Sequence, residues 1–225
     1  MRFQNSILFA GMLALAAAAP CKPVKPVDPA PAPTPTPTPE PAPPVATPEP
    51  APADPAPAAG GITADMLTKI APATASCAGA DFADECADAA TAATAISNSF
   101  TKYKITEVGE QAALVSIMLF ESGNFKYNKN HFPGVVGQGT RNMQSPAFNE
   151  MYAKAIGVTD PMADNDSSFG SAAWFVTSQC SPEVRTGLAA GTQAGYEAYL
   201  TQCVGTTSTP ERIAGWTAAI GAMKG

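Results

Sequence analysis

The chain has 225 residues and a formal net charge of -6, and charged residues make up only 14% of it. This balance argues against a nucleic-acid partner, because there is no basic footprint to displace counterions, and it gives no sign of an anionic membrane surface as a target. Most of the 23 prolines precede residue 60, which leaves roughly 165 residues able to build one domain with its own core.

Residues 1–20 read as a secretory signal. Arg2 supplies the positive start, Ile7 to Ala17 the apolar run, and Ala16 to Ala19 the small residues for cleavage. The run is too short and Ala-rich for a good membrane span, so no stable membrane insertion is expected. Cys21 raises a lipid-modified N-terminus as a further reading, which Pro20 directly before it fits poorly. Residues 21–60 are a Pro/Ala/Thr-rich linker. Repeated X-Pro steps favour extended, polyproline II backbone, and this composition cannot form a core, so a disordered, semi-rigid spacer is expected. Its threonines suit O-linked sugar, and a plain solvated linker is an equal reading.

From Ile62 the pattern becomes helical. Thr63 is placed to cap a helix starting Ala64-Asp65-Met66-Leu67, which Pro72 stops. Asp84 to Phe100 carries Ala89, Ala93, Ile96 and Phe100 at helical spacing. Thr106 is the expected N-cap of the next helix, whose apolar residues from Val108 to Phe120 cover nearly every face and mark it as central. Pro146 to Ile156 is amphipathic through Phe148, Met151, Tyr152 and Ala155, with Gly157 as its stop. Asp160 to Asp166 reads as a polar loop containing a glycosylation acceptor, Asn165-Asp166-Ser167. Ser167 or Ser168 would cap a helix over Gly170 to Gln179, with Trp174 as a core residue. Ser181-Pro182 and Thr209-Pro210 read as further helix starts around a helix-like piece, Gly195 to Cys203. Trp216, on the last helix, is assigned to the core. Sustained period-two alternation is missing, so the expected fold is mostly α, six to eight helices, with at most a short ribbon near Asn124 to Val136.

Of five cysteines, Cys77, Cys86, Cys180 and Cys203 lie in the folded part. Four cysteines allow three connectivities, and the local pairs Cys77–Cys86 and Cys180–Cys203 are favoured because each closes a short loop. With His131 as the sole histidine and no CxxC, neither a metal site nor a cofactor is expected.

The strongest chemical candidate is Glu121. It closes a nine-residue apolar run at a helix C-terminus, where desolvation and the helix dipole both disfavour its charge, a setting suited to a general acid. His131, Tyr127 and Phe132 are candidates to stack on sugar rings or to pack locally. Arg141 is open to three roles: gripping a carboxylate on a substrate, bracing Glu121, or facing water. Asp81, Asp84, Asp160, Asp164 and Asp166 are candidates for a second carboxylate, each more readily explained as a turn or cap residue.

Glu121-Ser122, a loop with Asn and aromatic residues, the Gly137/Gly139 turn and then Met143-Gln144 before Pro146 resemble the soluble lytic transglycosylases and goose-type lysozymes. Arg141-Asn142 stands where that family has Gly-Leu, and Tyr199, or alternatively Tyr196, where it has a later Tyr-Asn signature. The resemblance implies a lysozyme-like multi-helix domain over 61–225 with Glu121 as general acid/base. It also implies substrate contacts from Ser122, Asn142, Met143, Gln144 and Tyr199, joined by His131 and Tyr127. The expected function is a secreted, monomeric glycosidase or lytic transglycosylase cleaving β-1,4 bonds of peptidoglycan or a related N-acetylhexosamine polymer, chitin among them. The alternative is a non-catalytic cell-wall or chitin-binding module on the Pro-rich stalk.

Overall fold

The computed structural model describes residues 61–225; the expected signal segment and Pro-rich linker lie outside the described residues. Eight α-helices run through this part: α1 (Ala64–Ile70), α2 (Ala89–Tyr103), α3 (Val108–Glu121), α4 (Pro146–Ile156), α5 (Asn165–Gln179), α6 (Pro182–Ala189), α7 (Gln193–Ala198) and α8 (Pro210–Lys224). A 3-10 turn, Pro72–Ala75, follows α1, and a π-helical segment, Tyr199–Val204, continues α7. The mostly helical class is as expected. Among the described residues the anticipated ribbon is reduced to two isolated bridges, Lys129 with Gly139 and Gly139 with Gln144.

Local chemistry sets most helix starts. Thr63, Asp88, Ser145, Asp164, Ser181, Thr192 and Thr209 each accept a hydrogen bond from a first-turn amide of the following helix. Two starts that differ from expectation do so because an acid upstream or downstream is the cap. α2 begins at Ala89 rather than Asp84, because Asp88 is the cap and the residues before it belong to the loop closed by Cys77 and Cys86. α5 begins at Asn165 rather than Gly170, because Asp164 takes the Ser167 amide at 2.7 Å and captures the apparent polar loop into the first turn.

α3 is the exception to side-chain capping. Thr106 is not its cap; the N-cap position falls on Glu107, which makes no capping bond, and the Thr106 hydroxyl turns to the Glu107 carboxylate instead. Packing compensates at this end. Gly109 lies so close to the α6–α7 turn that a methyl group there would run into the Leu188 carbonyl. Glu110, buried, is bound by Arg185 of α6 at 2.9 Å.

α3 is the centre of the domain. Ala112, Ala113, Leu114, Val115, Ile117 and Met118 are all fully buried. Each large side chain among them contributes about 1.5–3 kcal/mol from burial, before the entropy of ordering is set against it. α3 packs along α8 and against α6, while α2 packs along α5. Trp174 joins Tyr152 and Phe175 in a smaller apolar cluster beside the main core, which contains Trp216. In α4 the buried face is Asn149, Tyr152 and Ala153; Met151, expected on the apolar stripe, is half-exposed. The structure joins Cys77 to Cys86 and Cys180 to Cys203, the two short-loop pairs.

Candidate functional site

Two polar centres stand near the residues singled out from sequence, and they are built very differently. The first lies at the C-terminal end of α3. Arg212, near the start of α8, places Nη2 2.6 Å from Glu121 Oε1, and its guanidinium sits 4.0 Å above the Phe120 ring. Behind this pair the Tyr196 hydroxyl meets Ser116 Oγ at 3.3 Å, and its ring stacks on Trp216. Tyr199 is fully buried and its hydroxyl has no partner among the described residues. Burial, reinforced by the neighbouring Tyr196 and Glu121, pushes the Tyr199 phenol well above its usual range, so it stays neutral. Tyr196 is raised as well, chiefly by burial.

This arrangement ties the end of α3 to α8. Glu121, read from sequence as an isolated general acid, instead has one carboxylate oxygen committed to a guanidinium. It is not among the residues that line the acidic cleft described below. The structure does bring Tyr199 and Glu121 into one neighbourhood. Ser122, however, is interior: its hydroxyl donates to the Met118 carbonyl at 2.5 Å and accepts from the Phe125 amide at 3.0 Å, turning the chain out of α3.

The loop from Asn124 to Ser145 is organised by Arg141. Its guanidinium is 1% exposed and donates to four acceptors: the carbonyls of Phe125 and Tyr127, both at 2.9 Å, the Glu85 carbonyl at 2.5 Å, and Asn165 Oδ1 at 3.2 Å. It also lies 4.9 Å over the Phe169 ring. Burial draws its pKa down to about 10, while the Glu85 carboxylate works in the opposite direction, so it remains charged at neutral pH. None of the three roles open to Arg141 from sequence is realised; it clamps two backbone segments, at Glu85 and at Phe125 to Tyr127, to the start of α5.

The neighbouring Asn142 and Gln144 are also buried, and Met143 half-buried. Gln144 donates to Asn149 Oδ1 at 3.1 Å, and Asn149 donates in turn to the carbonyls of Gly137 and Gln144. Gln144 is thus braced against α4, and Asn142 lies buried within the loop.

The second centre is an open cleft of about 550 Å³. Its residues come from the Cys77–Cys86 loop (Asp81, Phe82, Asp84 and Glu85), from Asn128 and Lys129, and from Met162 to Asn165 at the start of α5. Glu85 is the fixed point. His131 Nε2 lies 3.0 Å from both its carboxylate oxygens, and the Asn128 amide donates to Oε2 at 3.2 Å. Phe82 stacks face to face on His131 with centroids 3.7 Å apart, and the Tyr127 hydroxyl reaches Asp81 at 3.2 Å. Phe132, 76% exposed, completes a ring cluster with Tyr127 and His131. Tyr127 and His131 are therefore neighbours, as their place in the sequence suggested, but they border an acidic cleft that Glu121 does not line. Among the described residues no three His, Cys, Asp or Glu side chains are grouped so as to hold a metal ion.

Sequence reasoning passed over Glu85, Asn128 and Lys129. The available signal was the short disulfide loop, which concentrates Asp81, Asp84 and Glu85 within a few residues of a fixed cross-link.

Comparison with known proteins gives a narrow result. No family model matches the chain. No solved structure matches either. A protein of Fusarium oxysporum named as a bifunctional dioxygenase–epoxy alcohol synthase is 36% identical over 141 residues, covering 53% of this chain and 11% of that protein. The chain thus spans about a ninth of the relative's length. This finding overturns the lysozyme-like resemblance, and with it the glycosidase or transglycosylase activity, and it lends the wall-binding alternative no support: the kinship runs to a protein named for oxygenation chemistry.

Proposed function

We propose that residues 61–225 form a ligand-binding domain whose working site is the cleft between the Cys77–Cys86 loop and the Asn128–His131 segment, and that this domain serves an oxidative enzyme system of the kind its Fusarium relative is named for. The small share of that relative covered by the match supports an accessory part rather than the complete oxygenase. Two disulfides fit an oxidising compartment, and export is part of the proposal.

The observation that carries this reading is the rigidity of the cleft wall. The Cys77–Cys86 bridge closes the loop, Arg141 holds the Glu85 backbone, and the Glu85 side chain is fixed by His131 and Asn128. Binding sites gain affinity when polar groups are held in place before the ligand arrives, because less ordering entropy is lost on association. A small-molecule fragment screen on the full chain, read by backbone amide NMR, tests it. Hits should move Asp84, Asn128, Lys129 and Asn165 together; hits gathered at any other site contradict it.

A further inference from the structure

We infer that the loop from Phe132 to Gly137 is a docking tip for a lipid surface with zwitterionic headgroups. The inference goes beyond the cleft and does not depend on what the cleft binds. Phe132, Pro133, Gly134, Val135, Val136 and Gly137 are consecutive exposed residues, and none has a polar side chain. Phe132 and Val136, at 76% and 92% exposure, are the two most exposed large apolar residues among the described residues. Single apolar residues are common on a surface, but an uninterrupted run marks a face kept for contact.

The run is held in place. Asn130 Oδ1 accepts the amides of Gly134 and Val135 at 2.8 and 3.1 Å, and Asn130 Nδ2 donates to Gln138 Oε1 at 3.1 Å. The Asn130 amide donates to the Gln138 carbonyl at 3.0 Å, and the Gln138 amide to the Val135 carbonyl at 3.2 Å. Gly137, at φ +79°, completes the turn that presents Val136. The loop's own bonds therefore maintain the exposure.

Charge and polarity identify the occupant. From Asn130 to Asn149 the one formal charge is Arg141, which is buried and turned to backbone carbonyls. Lys129 lines the acidic cleft, and the carboxylates of Asp81 and Glu85 stand behind the tip, on Tyr127 and His131. An anionic headgroup would find no cation at the tip and carboxylates at its base, so a zwitterionic surface fits better. A protein pocket has a polar rim around its apolar centre, and the tip offers that rim no polar side chain. A hydrocarbon layer asks for none. The amides of Gly134, Val135 and Gln138 are bonded inside the loop and Pro133 has no N–H, which lowers the cost of leaving water. Tyr127 and His131, packed against Phe132, add rings with polar ends, the kind that settles among headgroups.

The test adds phosphatidylcholine vesicles to the full chain carrying Phe132→Trp, and reads tryptophan emission and its quenching by brominated acyl chains. Trp174 and Trp216 are buried, so the change reports the tip and not attachment through the apolar run Ile7 to Ala17. Emission should shift to the blue and be quenched saturably. Val136→Ser in the same background should raise the half-saturating lipid concentration about fivefold. Met151→Ser, which removes a half-exposed apolar side chain from α4, should leave it within about twofold. Admixed phosphatidylserine should not strengthen the response, and added salt should not weaken it. The substituted side chains are exposed, so the fold should survive each change, which circular dichroism checks. Binding by Val136→Ser equal to its parent, an equal loss with Met151→Ser, or a response that needs phosphatidylserine would each overturn the inference. A tip that ignores vesicles is left to a protein pocket, and the inference falls. Fragment binding at the cleft is read separately, so either reading can fail alone.

Discussion

Arg141 shows how far a single side chain's role depends on partners that sequence does not display. Next to a Gly-rich turn, it is equally open to gripping a substrate, bracing Glu121 or facing water. In the fold its planar fork satisfies carbonyls of Phe125, Tyr127 and Glu85 at once. Lysine has no such fork, so Arg141→Lys should be nearly as damaging as Arg141→Met. Either change should lower unfolding stability by about 3 kcal/mol, because buried carbonyls lose their donors. Urea denaturation checks this; a loss below about 1 kcal/mol would show that the clamp contributes little. Glu121 was misread for the same reason. The nine-residue apolar run before it is visible in sequence, but Arg212, 91 residues away, is not, and that partner changes an isolated acid into half of an ion pair. Glu85 and His131, 46 residues apart, are likewise joined only by the fold.

Helices were the most legible level. Their starts are written in local chemistry, and Thr63, Ser181 and Thr209 cap the helices that sequence assigned to them. The misses have local causes too. Asp88 and Asp164 were hidden by other acids nearby, and Thr106 lost its place because α3 is fixed by packing at Gly109 rather than by a cap. Asp88 carries a pH prediction. Its carboxylate accepts the Thr91 amide at 2.9 Å, and that backbone bond is the main cause holding its pKa below the usual carboxylate value. A depressed folded-state pKa means that the ionised cap stabilises α2 above the ordinary Asp range, and that this contribution is lost as pH falls through the lowered folded value. Asp88→Asn keeps an acceptor but not the titration. Its thermal midpoint should therefore fall less steeply than that of the parent between about pH 5 and pH 2. Parallel curves for the two proteins would show that the cap's charge does not contribute.

Across the whole domain the two disulfides do different work. Cys180–Cys203 spans 23 residues and sits against the apolar core, whereas Cys77–Cys86 spans 9 and closes the loop that forms the cleft wall. Loop-closure entropy gives about 3 kcal/mol for the longer bridge and somewhat less for the shorter. Replacing Cys180 and Cys203 by Ser should lower the melting temperature and leave ligand contacts intact at low temperature. Replacing Cys77 and Cys86 should keep helical content while weakening cleft binding by about tenfold or more, a loss of order in a preformed wall. If the second variant bound fragments as well as the parent, the wall would not need its cross-link. The mostly helical class could be read from periodicity, but the cleft could not, because it is assembled from three loop segments that share no pattern.

The most direct measurement compares the affinity of one cleft-directed fragment for the parent chain, for Glu85→Gln and for Glu121→Gln under identical conditions. The account predicts that Glu85→Gln, which loosens His131 and the wall, reduces affinity by about tenfold, while Glu121→Gln, which releases only Arg212, leaves it within about twofold. Affinity lost with Glu121→Gln and kept with Glu85→Gln would place the working site at the end of α3 and contradict it.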